Sequence, residues 1–407
     1  MDHQQVIPGS VLRNPGYRSF AASRVFSSLS FQAVTVAMGW MIYDQTHSAF
    51  ALGFVGFCQF LPMVLLTFVV GHVADRFDRR RIGLVCQMIE AVTSLVLAVA
   101  VWQHWVTPAV ILCAVAIMGA ATAFERPTMA ALLPNVVGPS LLQKAVATST
   151  SMMQTALIIG PSLGGLLYGL SPIAPFAMAA VLFTVASFNV ASIRIERRQS
   201  SREPVTLSSV FAGVSFIKGR PLMLGTISLD LFAVLLGGAT ALLPMFARDI
   251  LHAGPWGLGL LRAAPAVGAL AMSIVLARRP LQTEVGKKML AAVFIFGVAT
   301  VVFALSTNIA LSVCALLVVG ASDTVSVVVR SSLVQLLTPD AMRGRVNAVN
   351  SLFIGTSNQL GEFESGMLAG VLGPVATGIV GGIGTIVVVL LWMRLFPDLT
   401  KVRTLQG

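Results

Sequence analysis

Six ionisable side chains stand in or at the edge of long apolar runs, where water cannot solvate them: Arg24, Asp230, Asp323, Arg330, Glu362 and Glu364. An ionised side chain at the centre of a bilayer costs at least about 2.5–3.5 kcal/mol, so each of them needs a reason. A carboxyl group in a water-poor site favours its neutral form, which is the property a proton-coupling group requires. Arg24 is followed at helical spacing by Ser28, Phe31 and Thr35, giving one mixed polar and aromatic face. Asp323, Ser326 and Arg330 fall at i, i+3 and i+7 and share a face. Arg330 lies near the end of its run, as Arg126 does earlier in the chain, and both read as topogenic or gating residues. Glu362 and Glu364 are about 200° apart on a helix and meet different neighbours. Glu362 continues a stripe of Asn347, Ser351 and Asn358, which favours it for a cavity, while Glu364 sides with Asn350 and Ser357. Glu90 is a lone acid and reads as a structural hydrogen-bonding group.

The elements that must position these groups follow from composition. Charged residues make up 11% of the 407-residue chain and hydrophobic ones 56%, against about 25% charged in a soluble domain. The mean hydropathy of +0.87 places most of the chain in lipid. With about 20 apolar residues needed per crossing, the first six spans are Ser19–Tyr43, Phe50–Gly71, Ile82–Gln103, Pro108–Phe124, Leu141–Leu170 and Pro172–Ile193. The next six are Leu222–Phe246, Trp256–Ala277, Met289–Ser306, Ile309–Val329, Val346–Leu372 and Val375–Trp392. The first run is too long for a signal peptide and lacks its small-residue cleavage site, so it reads as a retained helix.

Two six-helix halves, 1–193 and 221–407, are joined by a polar, basic linker at 194–220. Asn14-Pro15 aligns with Arg220-Pro221, which sets Arg24 opposite Asp230; the string beginning at Arg126 resembles the one beginning at Arg330. Parallel repeats of this kind are a transporter plan, with the cargo site between halves near the midplane. On that plan Arg24 and Asp230 face one another across a cavity, either as a static ion pair or as a pair that a proton or an anionic ligand breaks.

The net charge of +11 sits in short loops between apolar segments, as expected of a topogenic signal and not of nucleic-acid binding. Of the loops on the side opposite the termini, the basic residue is Arg248 alone, so both termini and the linker are expected in the cytosol. The four cysteines fall inside apolar runs with no zinc spacing and no expected disulfide. His3, His47, His72, His104 and His252 are scattered, no phosphate-binding loop is present, and no soluble output domain fits. No metal, no cofactor and no enzymatic chemistry are expected.

The densest charge cluster is Gly71-His72-Val73-Ala74-Asp75-Arg76-Phe77-Asp78-Arg79-Arg80-Arg81. Asp75 can cap or pair where a helix ends. The order of residues resembles the loop between helices 2 and 3 of the major facilitator superfamily, Gly-x-x-x-Asp-Arg-x-Gly-Arg-Arg. Gly71, Asp75, Arg76, Arg79 and Arg80 match it, and Asp78 stands where glycine is usual. The resemblance implies that these residues form a cytosolic latch made and broken as the transporter changes state. Gly160, Pro161, Gly164 and Gly165 resemble the core of the fifth-helix motif of drug–proton antiporters in that superfamily, with the earlier glycines missing. The strings Gly39–Thr46, Gly238–Pro244, Leu260–Gly268 and Thr338–Asn350 are similar to the bacterial branch that includes enterobactin-type siderophore exporters and macrolide-type efflux pumps.

The resemblance implies an all-α membrane protein of twelve helices in two pseudo-symmetric halves, in a bacterial inner membrane. It implies proton-coupled export of a small organic molecule, siderophore-like or an amphipathic drug, by a monomer. A proton symporter that imports a metabolite, or a lipid-moving relative, is the alternative. Asp230 is the first choice for proton carrier, with Asp323 or Glu362 next and Arg24 as partner or anion contact.

Overall fold

The computed structural model describes residues 11–193 and 207–404 and is helical almost throughout. The N-terminal half holds α1 (Pro15–Thr46), α2 (Ala49–Arg76), α3 (Arg79–Trp102), α4 (Pro108–Val137), α5 (Pro139–Leu170) and α6 (Ala174–Ser192). After the helix α7 (Leu207–Lys218), the C-terminal half begins with α8 (Pro221–Leu236) and the short α9 (Leu243–Met245). It continues with α10 (Gly254–Arg278), α11 (Val285–Leu305), α12 (Ile309–Leu337), α13 (Asp340–Leu372), α14 (Pro374–Leu395) and α15 (Pro397–Lys401).

Local chemistry sets the ends. Asn14, Ser48, Thr107 and Asn308 sit before their helices and accept backbone N–H bonds of the first turn. Proline follows at the first helical position in α1, α4, α5, α8 and α14, where its missing N–H costs nothing. Among the described residues, eleven helical stretches are long and apolar enough to cross a membrane. The twelfth crossing is α13, which has 33 residues but carries Asn347, Asn350, Asn358, Gln359, Glu362 and Glu364 along its length.

The helices run past the apolar cores that mark them in sequence. The fourth span, expected to stop at Phe124, continues as α4 to Val137, so Glu125 and Arg126 lie inside it, not at its end. The seventh span is not continuous. α8 stops at Leu236, ahead of Gly237 and Gly238; a 3₁₀ turn (Ala239–Leu242), α9 and a π turn (Phe246–Ile250) complete the crossing. Paired glycines and Pro244, which lacks an N–H, weaken the helical ladder there. Within 194–220, expected as a connector, Leu207–Lys218 is helical and Ile217 is buried with Val346 and Val349 of α13. Residues 194–206 lie outside the described residues.

The start of α1, the end of α6, α7 and the last described residues lie at one end of the bundle, called here the linker end. The largest apolar cluster joins the two halves at the opposite, far end: Trp40, Tyr43 and Phe183 pack with Leu242, Phe246, Leu258 and Phe303. Toward the linker end the cores separate. Tyr17, Phe20, Met129 and Val190 form one within the N-terminal half, and Met223, Ile227 and Val334 form another within the C-terminal half. Two helix pairs carry the crossing between halves, α2 with α13 and α5 with α10. Gly53 faces Gly366 in the first, and Gly165 faces Gly259 in the second. A Cβ at Gly259 would fall 2.6 Å from the Pro161 carbonyl oxygen, so bare backbone is required at that crossing. Phe188, Leu95, Val92 and Val387 are exposed on the outside, the side that lipid covers.

Candidate functional site

Arg24 lies nine residues into α1 and Asp230 nine residues into α8, each roughly 14 Å from its helix start at 1.5 Å per residue. The register read from the repeat therefore holds, but the expected meeting of the two does not occur. Asp230 forms an ion pair with Arg330 of α12, in its own half, and the two side chains are 7% and 3% exposed. Equivalent positions of a repeat sit at equivalent places in their own halves, and the fourth helix of each half is the nearer neighbour. Arg330, expected as an end-of-helix residue, is buried one helix turn beyond Ser326 on the same face. Asp323, Ser322 and Ser326 share a void of about 10 Å³ with Asp230, room for about one water.

The N-terminal half is built differently at the same level. Arg24 of α1 and Arg126 of α4, the counterparts of Asp230 and Arg330, form no ion pair among the described residues. They line a cavity of about 210 Å³ with Ser28, Phe31, Gln32 and Gln154. Arg126 lies over the Phe31 ring, 5.6 Å from its centroid, a contact that holds the guanidinium without neutralising it. The cavity wall also contains Ser27, Thr122 and Glu125. Glu125 Oε1 accepts hydrogen bonds from Ser27 Oγ (2.8 Å) and Gln87 Nε2 (2.9 Å). Gln87 Nε2 donates also to Ser23 Oγ at 2.9 Å. Sequence reasoning missed Glu125 because Glu125-Arg126 looked like charged residues closing a helix. The signal available was the face of α3 carrying Gln87 and Glu90 beside the small polar residues Ser23 and Ser27 of α1.

Glu362 and Glu364 do not line this cavity. Glu362 packs at the crossing of α13 with α2, where a Cβ on Gly56 would lie 3.1 Å from its own Cβ. Its nearest opposing charge is Arg262 of α10, a half-buried cation that the span assignment passed over. Glu364 is half-buried on the same helix.

The glycines of α5 act by close approach. Gly160 abuts Leu29 and Gln32 of α1, Gly164 would place a Cβ 2.5 Å from the Ala33 carbonyl oxygen, and Gly165 meets α10 at Pro255 and Gly259. α5 is thus wedged between a cavity-lining helix of its own half and the opposite half, with Pro161 inside it.

Polar contacts joining the halves include Tyr43 Oη donating to Asp249 and, beside it, Arg248 Nη1 to Asp44 Oδ1 at 2.6 Å. Nearer the middle, Gln154 Nε2 donates to the Ala266 carbonyl at 3.3 Å. At the linker end, Arg79 Nη1 donates to the Ala131 carbonyl (3.1 Å) and Arg80 Nη1 to the Ile193 carbonyl (2.8 Å), both within the N-terminal half. Arg76 is exposed. Gly71 and the Asp75 side chain lie outside the described residues. Asp78 stands at the N-cap of α3 and accepts the Arg80 N–H at 2.9 Å. That accounts for an acid where the resembling motif has glycine.

Comparison with known proteins agrees with this architecture. Residues 8–403 match the transmembrane secretion effector family, MFS_3. The enterobactin exporter EntS of Citrobacter koseri is 25% identical over 395 residues, covering 96% of this chain and 94% of that protein. Among solved structures, a variant of the nucleoside transporter NupG superposes with a TM-score of 0.76 at 13% identity, covering 94% of this chain and all of the other. A bacterial homologue of the human lysosomal transporter Spinster, inward-facing and unoccupied, gives a TM-score of 0.72 at 11% identity over 95% of this chain and 96% of its own. With the fold, the family match over nearly its whole length and the two-half cavity architecture in agreement, this chain belongs to the major facilitator superfamily, within its transmembrane secretion effector family, and is a membrane transporter.

Proposed function

We propose that this transporter exports a small, hydroxylated amphipathic organic molecule from the cytosol across a bacterial inner membrane, driven by protons. The observation that carries the reading is the N-terminal cavity, in which Arg24, Arg126, Phe31, Gln32 and Gln154 converge beneath a far end that is packed shut. Guanidinium groups attract acidic or phenolic oxygens, the aromatic ring stacks on a flat cargo, and the amides orient hydroxyls. The EntS relatives are named as enterobactin exporters, which supports a siderophore-like cargo. The basic linker-end loops favour cytosolic termini, so the cavity belongs to the cytosol-facing state. Gly53–Gly366 and Gly165–Gly259 serve as the fulcrums about which two units, 1–193 and 221–407, rock as a monomer.

Under this reading Arg24 and Arg126 contact cargo. Asp230 and Arg330 hold the C-terminal half rigid, and Asp323 stands beside them. Glu362 reports the approach of α2. Gly71, Asp75, Arg76, Arg79 and Arg80 form the cytosolic latch that closes when cargo has left.

Reconstitution tests it. Proteoliposomes with an imposed pH gradient should drive enterobactin or ethidium against its concentration, in the direction opposite to proton flow. Arg24→Ala with Arg126→Ala should abolish movement of the acidic probe. Flux indifferent to the gradient, or running with the protons, overturns the antiport reading.

A further inference from the structure

Glu125 in the cavity wall and Glu90 behind it form a polar layer distinct from the two arginines. Glu90 of α3 is fully buried. Its Oε1 accepts the Thr122 hydroxyl at 3.2 Å, and its Oε2 is buried without a hydrogen-bond partner. Glu125 of α4 is 4% exposed, and its Oε1 accepts Ser27 and Gln87 as described. Among the described residues neither carboxyl is in an ion pair, although Thr122 and Glu125 line the same cavity as Arg24 and Arg126. A buried carboxylate with an unpartnered oxygen, as at Glu90, is costly, and a second carboxyl nearby adds to the cost. Such a pair is economically occupied by a proton.

The charged and titratable groups around the pair are few. Arg24 comes from α1, Cys86 from α3 and Arg126 from α4 itself. α5 adds the uncharged Thr150 and Gln154, while Lys144 on the same helix is exposed. α2 packs on α4 where Gln59 meets Gly119. The acids of the C-terminal half are placed less well for this task. Asp230 is committed to Arg330, Asp323 opens only on a void of about 10 Å³, and Glu362 lies at a helix crossing.

We propose that Glu125 and Glu90 form the proton-binding site of the transporter, with Glu125 the group for which proton and cargo compete. The inference rests on the antiport reading above and locates its coupling group. With the cavity open to water, the Glu125 carboxyl releases its proton to water and the carboxylate accepts a cargo hydroxyl. A proton arriving from the other side displaces that hydroxyl. Thr122, on the cavity wall and bonded to Glu90, links the inner carboxyl to the same water.

The experiment uses proteoliposomes of the full chain with enterobactin and ethidium as probes, and compares wild type, Glu125→Gln, Glu90→Gln and Asp230→Asn. In Glu125→Gln the ratio of gradient-driven to gradient-free flux should fall by about tenfold or more, equivalent to about 1.4 kcal/mol of lost coupling. Glu90→Gln should reduce it less, and Asp230→Asn should keep the wild-type ratio in whatever protein folds. A cargo-free arm follows maleimide labelling of Thr150→Cys, with the native cysteines replaced by serine, in mildly acidic and mildly alkaline buffer. Its rate, divided by that of a free thiol in the same buffers to remove the intrinsic thiolate effect, should depend on pH, and adding Glu125→Gln should remove that dependence. A Glu125→Gln protein with the wild-type flux ratio, or with undiminished pH-dependent labelling, overturns the inference while antiport stands. Wild-type flux that ignores the gradient defeats the antiport reading itself, and labelling without pH dependence in the parent protein overturns the proton site on its own.

Discussion

The two halves of this transporter answer the same design problem in opposite ways. At equivalent depth, the C-terminal half sets Asp230 of α8 against Arg330 of α12 and seals them with almost no free space. The N-terminal half has Arg24 and Arg126 at the corresponding places, leaves a cavity of about 210 Å³ between them, and keeps Glu125 in the cavity wall and Glu90 behind it on α3. A paired charge in a closed site is structural. Charges of like sign facing a cavity hold one another apart and keep the site available for a ligand. The difference of one residue type in a repeat, Arg24 for Asp230, separates a closed ion pair from an open basic cavity.

The comparison breaks most visibly at Arg330. Arg330→Ala leaves Asp230 buried without a counterion and should cost about 3–5 kcal/mol, read as a lower Tm in detergent. Replacing both partners, Asp230→Asn with Arg330→Met, should recover most of it. If Arg24→Met lowers Tm as much as Arg330→Ala does, the two halves are alike and the contrast fails. Next in size is the crossing on which both halves depend. Gly165→Val puts methyl groups into the α10 backbone at Pro255 and Gly259, so far-end closure should be lost and transport with it. Cross-linking of cysteines introduced at the far-end rims would read the closure directly. Arg24→Asp sharpens the comparison by copying the C-terminal arrangement. It should pair with Arg126 and hold or raise Tm. Flux of an acidic cargo should meanwhile fall by about tenfold or more, from the loss of one charge-assisted contact of about 1.5–3 kcal/mol. Smallest is Asp78→Ala, which removes the α3 cap for about 1 kcal/mol and should leave cargo flux nearly unchanged, because the cap lies outside the cavity.

Much of the fold was readable in the chain. Apolar run lengths give the crossings, and Asn14-Pro15 with Thr107-Pro108 mark two of the starts. What the runs conceal is where polar residues are inside a helix and not at its end. Glu125 and Arg126 were misplaced for that reason, since charge near the end of an apolar run has the same appearance either way. The break at Gly237-Gly238 was hidden because glycine is common in membrane helices that do not break. Arg24, Asp230 and Arg330 were legible as charges in the wrong solvent. Their pairing was not, because a repeat aligns positions along the chain and says nothing about which neighbour a side chain reaches. Arg262 went unnoticed within a string read only for its resemblance, and α13 was legible as a polar crossing from its asparagines alone.

The far-end clasp has a consequence of its own. Its named polar contacts, Arg248 to Asp44 and Tyr43 to Asp249, sit at the rim, where Arg248 and Asp44 are 28% and 47% exposed. Unlike the apolar cluster beneath it, a rim ion pair is weakened by dissolved electrolyte, whose screening length is about 8 Å at physiological ionic strength. A rise in ionic strength at that face therefore loosens the rim while leaving the apolar cluster beneath it in place.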